Sequence, residues 1–287
     1  MPSILLKPHI RDLGDFAVRR ILPGHPKKLV GPFIFFDHVG PAAFAPGTGI
    51  DVRPHPHIGL ATVTYLFEGA FMHRDSLGMV QRIEPGDVNW MTAGSGIVHS
   101  ERTPPDLRSS GSRIHGIQTW VALPRKHEDV APRFEHHQVT ALPTLNKPGM
   151  TLRLIAGRGF GLKSPATTYS PMFYAAVELA AGATFTLDAE HAERAAYAAS
   201  GDVLIDGQAL PEATMAYFDP GTPVKIEARS DAKVMLLGGD PMDGDRHIWW
   251  NFVASDRDSI ERAKARWKNG EFAPVPGETE FIPLPDK

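Results

Sequence analysis

The strongest constraint on the fold is a repeated pattern of short apolar runs separated by glycine and proline. The 27 glycines and 26 prolines of this 287-residue chain are spread along it as punctuation, not gathered in one low-complexity block. Between residues 62 and 101 the apolar runs recur about every eight to twelve residues, a spacing typical of an antiparallel β-sandwich or barrel. Similar runs return between residues 152 and 237. The sequence therefore predicts an all-β protein with a weak internal duplication of one β-unit.

A chain of this length corresponds to one large or two ordinary domains. Residues 124–150 carry repeated prolines and charges and are typical of a connection between two units. We therefore predict an N-terminal domain over residues 1–135 and a C-terminal domain over residues 136–287.

The C-terminal end differs from the rest of the chain. Ser255 is predicted to cap a helix over residues 256–268. Ile260, Ala263 and Trp267 follow the spacing of one buried helical face. We expect the extended tail after this helix to pack against the protein because it is rich in apolar residues.

Charge and composition exclude several classes of function. The formal net charge is −3 and the chain has no cysteine. No basic field favours nucleic acid or an anionic membrane. Disulfides, thiolate metal sites and cysteine nucleophiles are excluded. We find no signal peptide and no transmembrane run, and we expect a cytoplasmic protein that binds neither nucleic acid directly nor a membrane.

Two pairs of possible metal ligands stand out, and they include three of the 13 histidines. Most of the other histidines fit surface positions or, for His73, His115 and His247, hydrogen-bonded core positions. The first pair is His55 and His57, and the second is His99 and Glu101. In a β-strand, side chains two residues apart point to the same face. Two facing strands could therefore hold one metal ion with three imidazoles and a carboxylate.

The run after the first pair alternates in polarity. Val63, Tyr65 and Phe67 share one face, which would also carry His55 and His57 if the register continues. We expect this apolar face to point into the barrel. A nearby pair at the end of an earlier strand, Asp37 and His38, is more typical of a structural strand end than of a catalytic site.

Three imidazoles and one carboxylate suit a divalent first-row metal, such as iron, manganese, nickel, copper or zinc. Iron prefers six ligands, so four protein ligands would leave two positions for O₂ chemistry. A purely structural metal would fit these ligands almost as well, and the alternative stays open at this point.

The prolines at positions 54 and 56 leave the local geometry open as well. Proline cannot donate to a sheet ladder, so this segment is either an edge strand or locally polyproline-like. In a polyproline helix, residues two apart do not share a face. The paired-ligand hypothesis therefore requires β geometry from His55 to His57.

Several long motifs give the chain a closer resemblance. These are HPHIGLATVTYLFEG, HRDSLG, PGDVNWMTAGSGIVHSE, WWNFVASDRDSIERAKARWKNGEF and FIPLP. With them the chain resembles the pirin family of the cupin superfamily over nearly its whole length. The resemblance implies two tandem cupin (jelly-roll) β-barrels with a C-terminal α-helix. It also implies one metal ion, usually Fe²⁺, in the N-terminal barrel, held by His55, His57, His99 and Glu101.

The sequence departs from the cupin pattern at one place. Many pirins carry a glutamate a few residues after the His-x-His pair, and this chain has Ala61 there. Because Glu101 still supplies a carboxylate, the implied ligand set is complete. The substitution affects the expected shape of the pocket wall.

The resemblance implies two alternative functions. Some pirin-like proteins have quercetin 2,3-dioxygenase activity, which implies a small aromatic, flavonol-like substrate, O₂, and Glu101 as a catalytic base as well as a ligand. Other pirins resemble transcriptional co-regulators. They imply a protein partner and a metal with a structural or redox-sensing role.

The second barrel is expected to lack a metal. Alignment of the glycine turns places Leu187 and Ala189 where the first unit has His55 and His57. Ile226 and Ala228 take the places of the second pair. We therefore expect a structural barrel, or a surface for a partner.

Overall fold

A computed structural model of the chain describes residues 2–12 and 16–285. The first strands in chain order are β1 (Ile4–Leu6), β2 (His9–Asp12), β3 (Ala17–Leu22), β4 (Phe33–Phe44), β5 (Asp51–His57), β6 (Leu60–Glu68), β7 (Phe71–Asp75), β8 (Val80–Ile83), β9 (Val88–Thr92), β10 (Ile97–Arg102), β11 (Ser112–Ala122) and β12 (Arg133–His137). The remaining strands are β13 (Thr144–Lys147), β14 (Met150–Gly159), β15 (Leu162–Lys163), β16 (Met172–Leu179), β17 (Thr184–Leu187), β18 (Glu193–Ser200), β19 (Val203–Ile205), β20 (Gln208–Leu210), β21 (Met215–Phe218), β22 (Val224–Ala228), β23 (Ala232–Gly239), β24 (His247–Trp249) and β25 (Phe252–Ala254). The α-helices are α1 (Pro105–Ser110) and α2 (Arg257–Lys268), and Arg125–His127 and Val139–Ala141 form short 3₁₀ helices. The predicted all-β class with a C-terminal helix is confirmed.

The described residues form two compact units, each assembled from separated segments. One, named here the 137–242 unit, contains His137–Met242 together with residues 2–11 and Arg19–His38. The other, named the 39–136 unit, contains Val39–His136 together with residues 12, 16–18 and 243–285.

This division differs from the predicted one at both ends of the chain. Strand β1 pairs with β21 through Ile4 and Tyr217, so the N-terminal segment lies with the 137–242 unit. Helix α2 buries Ile260 and Ala263 in a cluster with Val98, so the C-terminal segment lies with the 39–136 unit. Both assignments depend on long-range pairing and burial, which position along the chain does not reveal. The domain boundaries at 135 and 136 stay a prediction.

The 137–242 unit consists of two antiparallel sheets. Its larger sheet has the strand order β1-β21-β18-β23-β16-β14-β13, with β15 on β14, and its smaller sheet has the order β17-β22-β19-β20. Side chains from both sheets, such as Phe173 and Val177 from one and Leu187 and Ile226 from the other, form one apolar cluster. Burial of these side chains is what holds the two sheets face to face.

The 39–136 unit has the same two-sheet plan. One sheet has the strand order β12-β9-β6-β11-β4-β3-β2, and β2, β3 and β4 belong to this unit only in part, through residue 12, residues 17–18 and residues 39–44. The other sheet has the order β5-β10-β7-β8. Leu66 and Ile114 from the first sheet pack with Phe71 and Ile83 from the second. Strands β24 and β25 form a separate hairpin.

The predicted cap of the last helix is wrong by one residue. Asp256, not Ser255, is the N-cap, and its Oδ1 accepts a hydrogen bond of 2.8 Å from the backbone N–H of Ser259. Ser255 Oγ instead donates to the carboxylate of Glu128. A carboxylate at this position also interacts favourably with the helix dipole. Neither helix within residues 2–12 and 16–285 is long and apolar enough to cross a membrane.

Candidate metal centre

Strands β5 and β10 bring the two predicted ligand pairs together in the 39–136 unit. In their antiparallel register His55 lies opposite His99, and His57 lies opposite Ile97. Directly opposed residues on one face are close enough for their side chains to meet. Strand β5 is at the edge of its sheet, where proline is tolerated. The β alternative, not the polyproline one, therefore describes this segment.

The three imidazoles converge on one point. One ligand nitrogen from each of His55, His57 and His99 lies within 4.8 Å of the other two, and all three side chains are buried. The ring centroids of His55 and His99 are 4.4 Å apart. Among the described residues this is the one group of histidine and acidic side chains with a geometry that could hold a metal ion.

Hydrogen bonds fix which nitrogen of each ring faces that point. His55 Nδ1 donates to the carbonyl of Arg53 at 2.9 Å, and His57 Nδ1 donates to the carbonyl of Asn251 at 3.1 Å. A carbonyl can only accept, so the neutral rings carry their proton on Nδ1 and a lone pair on Nε2. His99 Nε2 is buried and has no hydrogen-bond partner among the residues that the structure describes. Such an atom is costly to bury, and a metal ion bound to it would remove that cost.

The environment keeps these rings neutral. Burial lowers the pKa of His57 and of His99 well below the ordinary value, and repulsion from His55 adds to the effect. Burial also lowers the pKa of His55, although the Arg53 carbonyl and the charge of Glu101 oppose this in part. Neutral imidazole is the form that binds a metal. The site is therefore ready to bind a cation without first losing protons at neutral pH.

Glu101 lies outside this compact group of nitrogens. Its Oε1 accepts a hydrogen bond of 3.2 Å from Thr64 Oγ1, and its Oε2 accepts one of 2.8 Å from Gln118 Nε2. Thr64 and Gln118 are paired neighbours on β6 and β11, in the other sheet of the unit. Both oxygens of the carboxylate are thus held from across the barrel. The role of Glu101 as a fourth ligand stays a prediction.

The prediction that Val63, Tyr65 and Phe67 of β6 face into the barrel is wrong. Thr64 contacts Glu101, so the even-numbered residues face the site and Val63 and Tyr65 point to the other side of the sheet. The register does not continue because β5 ends at His57 and Gly59, with φ +69°, turns the chain before β6 begins. Ala61 shares the face of Val63, away from Glu101.

Thr64 and Gln118 are the site residues that the sequence interpretation missed. The signal for Thr64 was present, since the run from 62 to 66 alternates threonine with apolar residues on its other face. Its meaning depended on the turn at Gly59. Nothing in the sequence around Gln118 distinguishes it from a surface glutamine.

A second layer lies behind His99. His73 and Asp75 on β7 are buried, and His73 Nε2 donates to Asp75 Oδ2 at 2.9 Å. His73 Nδ1 lies 3.4 Å from His99 Nδ1, and the ring of Phe134 stacks on His73 with 4.3 Å between centroids. Sequence analysis placed His73 among hydrogen-bonded core histidines, without a link to the site.

The remaining candidates lie outside this centre. Asp37 pairs with Arg20 through two hydrogen bonds of 2.8 Å, and His38 Nδ1 lies 2.6 Å from Tyr197 Oη, all within the 137–242 unit. In the same unit, the positions aligned with the metal ligands carry no ligand side chains. Leu187, Ile226 and Ala228 belong there to the apolar core.

Comparison with known proteins agrees with this architecture. Residues 15–121 match the family model of Pirin, and residues 174–273 match that of the Pirin C-terminal cupin domain. A pirin-like protein of Caulobacter vibrioides is 55% identical over 280 residues, which cover 96% of each chain. A Pseudomonas aeruginosa protein provisionally named quercetin 2,3-dioxygenase is 39% identical over 260 residues, 90% of this chain and 81% of that one.

A solved structure extends the similarity to the fold. The crystal structure of quercetin 2,3-dioxygenase from Acinetobacter baumannii superimposes with a TM-score of 0.91 at 33% identity, covering 99% of this chain and 96% of that one. The expected pair of cupin-type barrels is confirmed by this likeness and by the two family matches. The chain belongs to the pirin family of the cupin superfamily.

Proposed function

We propose that this protein is a metal-dependent dioxygenase that acts on quercetin-like flavonols, with Fe²⁺ as its metal. The observation that carries the proposal is the buried, partnerless Nε2 of His99 at the meeting point of three neutral imidazoles. The names of the Pseudomonas and Acinetobacter relatives support the choice of substrate class.

The residues present fit a divalent metal ion. His55, His57 and His99 would hold it through Nε2, and Glu101 would be the fourth ligand. Imidazole and carboxylate donors suit iron and its first-row neighbours. When bound, such an ion supplies a positive charge that polarises a substrate oxygen and open positions for O₂.

Glu101 is proposed to act on the substrate as well. A flavonol must lose the proton of its ring hydroxyl before it can react as an anion, and a carboxylate within hydrogen-bond reach can accept that proton. The hydrogen bonds from Thr64 and Gln118 hold the carboxylate in one orientation. Glu101 would then receive the proton without first having to reorganise.

Elemental analysis combined with an oxygen electrode tests this function. We expect one first-row metal ion, chiefly iron, per chain and quercetin-dependent O₂ uptake by the loaded protein. In His99→Ala and Glu101→Ala, both metal binding and uptake should be lost. His191→Ala is the matched control, because His191 lies in the 137–242 unit and contacts the carbonyl of Arg158.

Two results would contradict the proposal. Full turnover by metal-free protein would remove the metal from the reaction. A metal-loaded protein that takes up no O₂ with any flavonol would leave the metal a structural role and would favour a protein that acts through a protein partner.

A further inference from the structure

His73 and Asp75 occupy the strand next to the metal-facing histidine. In the antiparallel register of β10 and β7, His99 lies opposite Asp75, and Glu101 lies opposite His73. Asp75 is completely buried and His73 is 3% exposed. Two buried titratable side chains therefore lie directly behind the candidate centre, and the proposed function uses neither of them.

Asp75 is fixed as a hydrogen-bond acceptor. Its Oδ1 accepts from the backbone N–H of Leu77 at 2.9 Å and from that of Met79 at 3.1 Å. Its Oδ2 accepts from His73 Nε2 at 2.9 Å. An ionised carboxylate has no proton to donate, so the proton of this last bond belongs to His73 Nε2.

This bond sets the other nitrogen of His73. With its proton on Nε2, the neutral His73 ring has a lone pair on Nδ1. That lone pair faces His99 Nδ1 at 3.4 Å, so the contact is a hydrogen bond only if His99 Nδ1 carries the proton. The remaining nitrogen, His99 Nε2, then has its lone pair free. This is the buried atom that has no partner within residues 2–12 and 16–285.

His99 differs in this respect from the other two ligands. Backbone carbonyls, which are acceptors in every state, fix the rings of His55 and His57. Only the tautomer of His99 depends on a chain of side chains, and Phe134 stacks on the middle ring of that chain. Hydrogen-bonded carboxylate–histidine pairs behind a metal ligand are a known means of fixing its orientation.

We propose that Asp75 and His73 are positioning residues that impose the metal-binding tautomer on His99. The proposal rests on the proposed metal site but concerns a property of the metal-free protein as well. Without the carboxylate, nothing in this chain of contacts would hold the His99 proton on Nδ1.

Asp75→Asn reverses the chain of hydrogen bonds. The two backbone N–H groups of Leu77 and Met79 keep the side-chain oxygen on their side, so the new amide group points its N–H at His73. His73 Nε2 must then accept, its proton moves to Nδ1, and His99 receives its own proton on Nε2. We expect metal affinity, measured by competition with a chelator, to fall about tenfold or more.

His73→Asn separates positioning from simple structural support. The oxygen of the new amide can take the place of the His73 lone pair and accept from His99 Nδ1 without help from Asp75. We therefore expect Asp75→Asn to lower metal affinity about tenfold in the natural protein. In a protein that already carries His73→Asn, the same substitution should lower metal affinity less than about twofold. Asp51→Asn is the control, because Asp51 lies in the same sheet and binds Arg102 and Arg108.

Nitrogen NMR of the imidazoles in the metal-free protein gives an independent readout. We expect His73 to carry its proton on Nε2 and His99 on Nδ1, with both reversed in Asp75→Asn. The opposite tautomers in the natural protein would overturn the proposal, as would equal costs of Asp75→Asn in both backgrounds. If the natural protein binds no metal, the proposed function fails, while the tautomers still decide this inference. The NMR arm also stands if Asp75→Asn does not fold.

Discussion

The rings of His55 and His57 present the same nitrogen to the centre because each donates its Nδ1 proton to a backbone carbonyl. This arrangement needs no additional side chain. His99 reaches the same state through His73, and Glu101 reaches its orientation through Thr64 and Gln118. The centre therefore has two kinds of candidate ligand: those oriented by backbone carbonyls and those oriented by other side chains.

Gln118→Leu tests whether a neighbouring side chain orients Glu101. The substitution removes the donor to Glu101 Oε2 and keeps the side-chain volume close to that of glutamine. A hydrogen bond to a charged group contributes about 1.5–3 kcal/mol, so kcat/KM for quercetin should fall about tenfold or more. Metal content should stay near that of the natural protein, because the three imidazoles and the Glu101 carboxylate are all retained.

A glutamine elsewhere in the same unit provides the control. Gln81 on β8 donates to the carbonyl of Arg82, and Gln81→Leu should leave kcat/KM unchanged. Equal activity of Gln118→Leu and the natural protein would show that the orientation of Glu101 does not limit the reaction.

At the scale of elements, β10 has two functional faces. His99 and Glu101 point into the barrel, whereas Ser100 and Arg102 point outward to Glu278 in the C-terminal tail. Arg102 Nη2 donates to Glu278 Oε2 at 2.6 Å, and Ser100 Oγ donates to its other oxygen. Burial would raise the pKa of Glu278, but the bonds from Arg102 and Ser100 outweigh it and leave this pKa lowered. The prediction that the tail packs is confirmed, and the tail fastens the outer face of a ligand-bearing strand.

Glu278→Gln should therefore destabilise the 39–136 unit. The loss of charge on a partly buried, doubly bonded carboxylate should cost about 1–3 kcal/mol of unfolding free energy. All 5 tryptophans of the chain lie in this unit, so tryptophan fluorescence during urea unfolding measures the right part of the molecule.

Glu280→Gln is the matched variant. Glu280 also contacts Arg102, at 3.2 Å, but its side chain is 60% exposed, so its loss should cost less than about 1 kcal/mol. Equal midpoints for the two variants would show that the tail does not support β10.

Sequence periodicity predicted which side chains share a face within single strands, and it failed from one strand to the next. The two-residue spacing placed His55 with His57, and His99 with Glu101, because each pair lies in one uninterrupted strand. It failed from β5 to β6 because Gly59 turns the chain there. A Cβ on Gly59 would lie 1.9 Å from the carbonyl oxygen of Val253, a contact made by a residue far away in sequence. A glycine in the sequence shows that such a turn is possible, but not that it occurs.

At the scale of the whole molecule, the two units have the same two-sheet architecture and differ in the side chains that they bury. The 137–242 unit buries an apolar cluster, whereas the 39–136 unit buries, beside an apolar cluster of its own, the candidate ligands His55, His57 and His99 together with Glu101. The burial of Leu187, Ile226 and Ala228 in the apolar cluster of the 137–242 unit is in keeping with their residue types. The assignment of the two chain ends to their units could not be predicted from the sequence. Strand β1 and helix α2 contact residues that are more than one hundred positions away along the chain.

The buried histidines should make the stability of the 39–136 unit depend on pH. The pKa values of His55, His57 and His99 are lowered in the folded protein, chiefly by burial. In the unfolded chain a histidine titrates near its ordinary pKa of about 6.5. As pH falls below that value the unfolded state takes up protons that the folded state does not. The free energy of unfolding of the metal-free protein should therefore fall, by up to about 1.4 kcal/mol per pH unit for each histidine.

Urea unfolding followed by tryptophan fluorescence, repeated at pH values from about 7.5 down to about 5.5, measures this slope across the histidine range. His57→Asn should make the slope shallower by the share of one histidine. His191→Asn should leave it unchanged, because His191 lies in the other unit, which holds none of the tryptophans. A saturating metal ion should raise stability over the whole range, because it binds only the folded state and holds the imidazoles unprotonated. Stability that stays constant below about pH 6.5 in the metal-free protein would mean that these histidines become protonated without unfolding, and that their burial does not keep them ready for a metal.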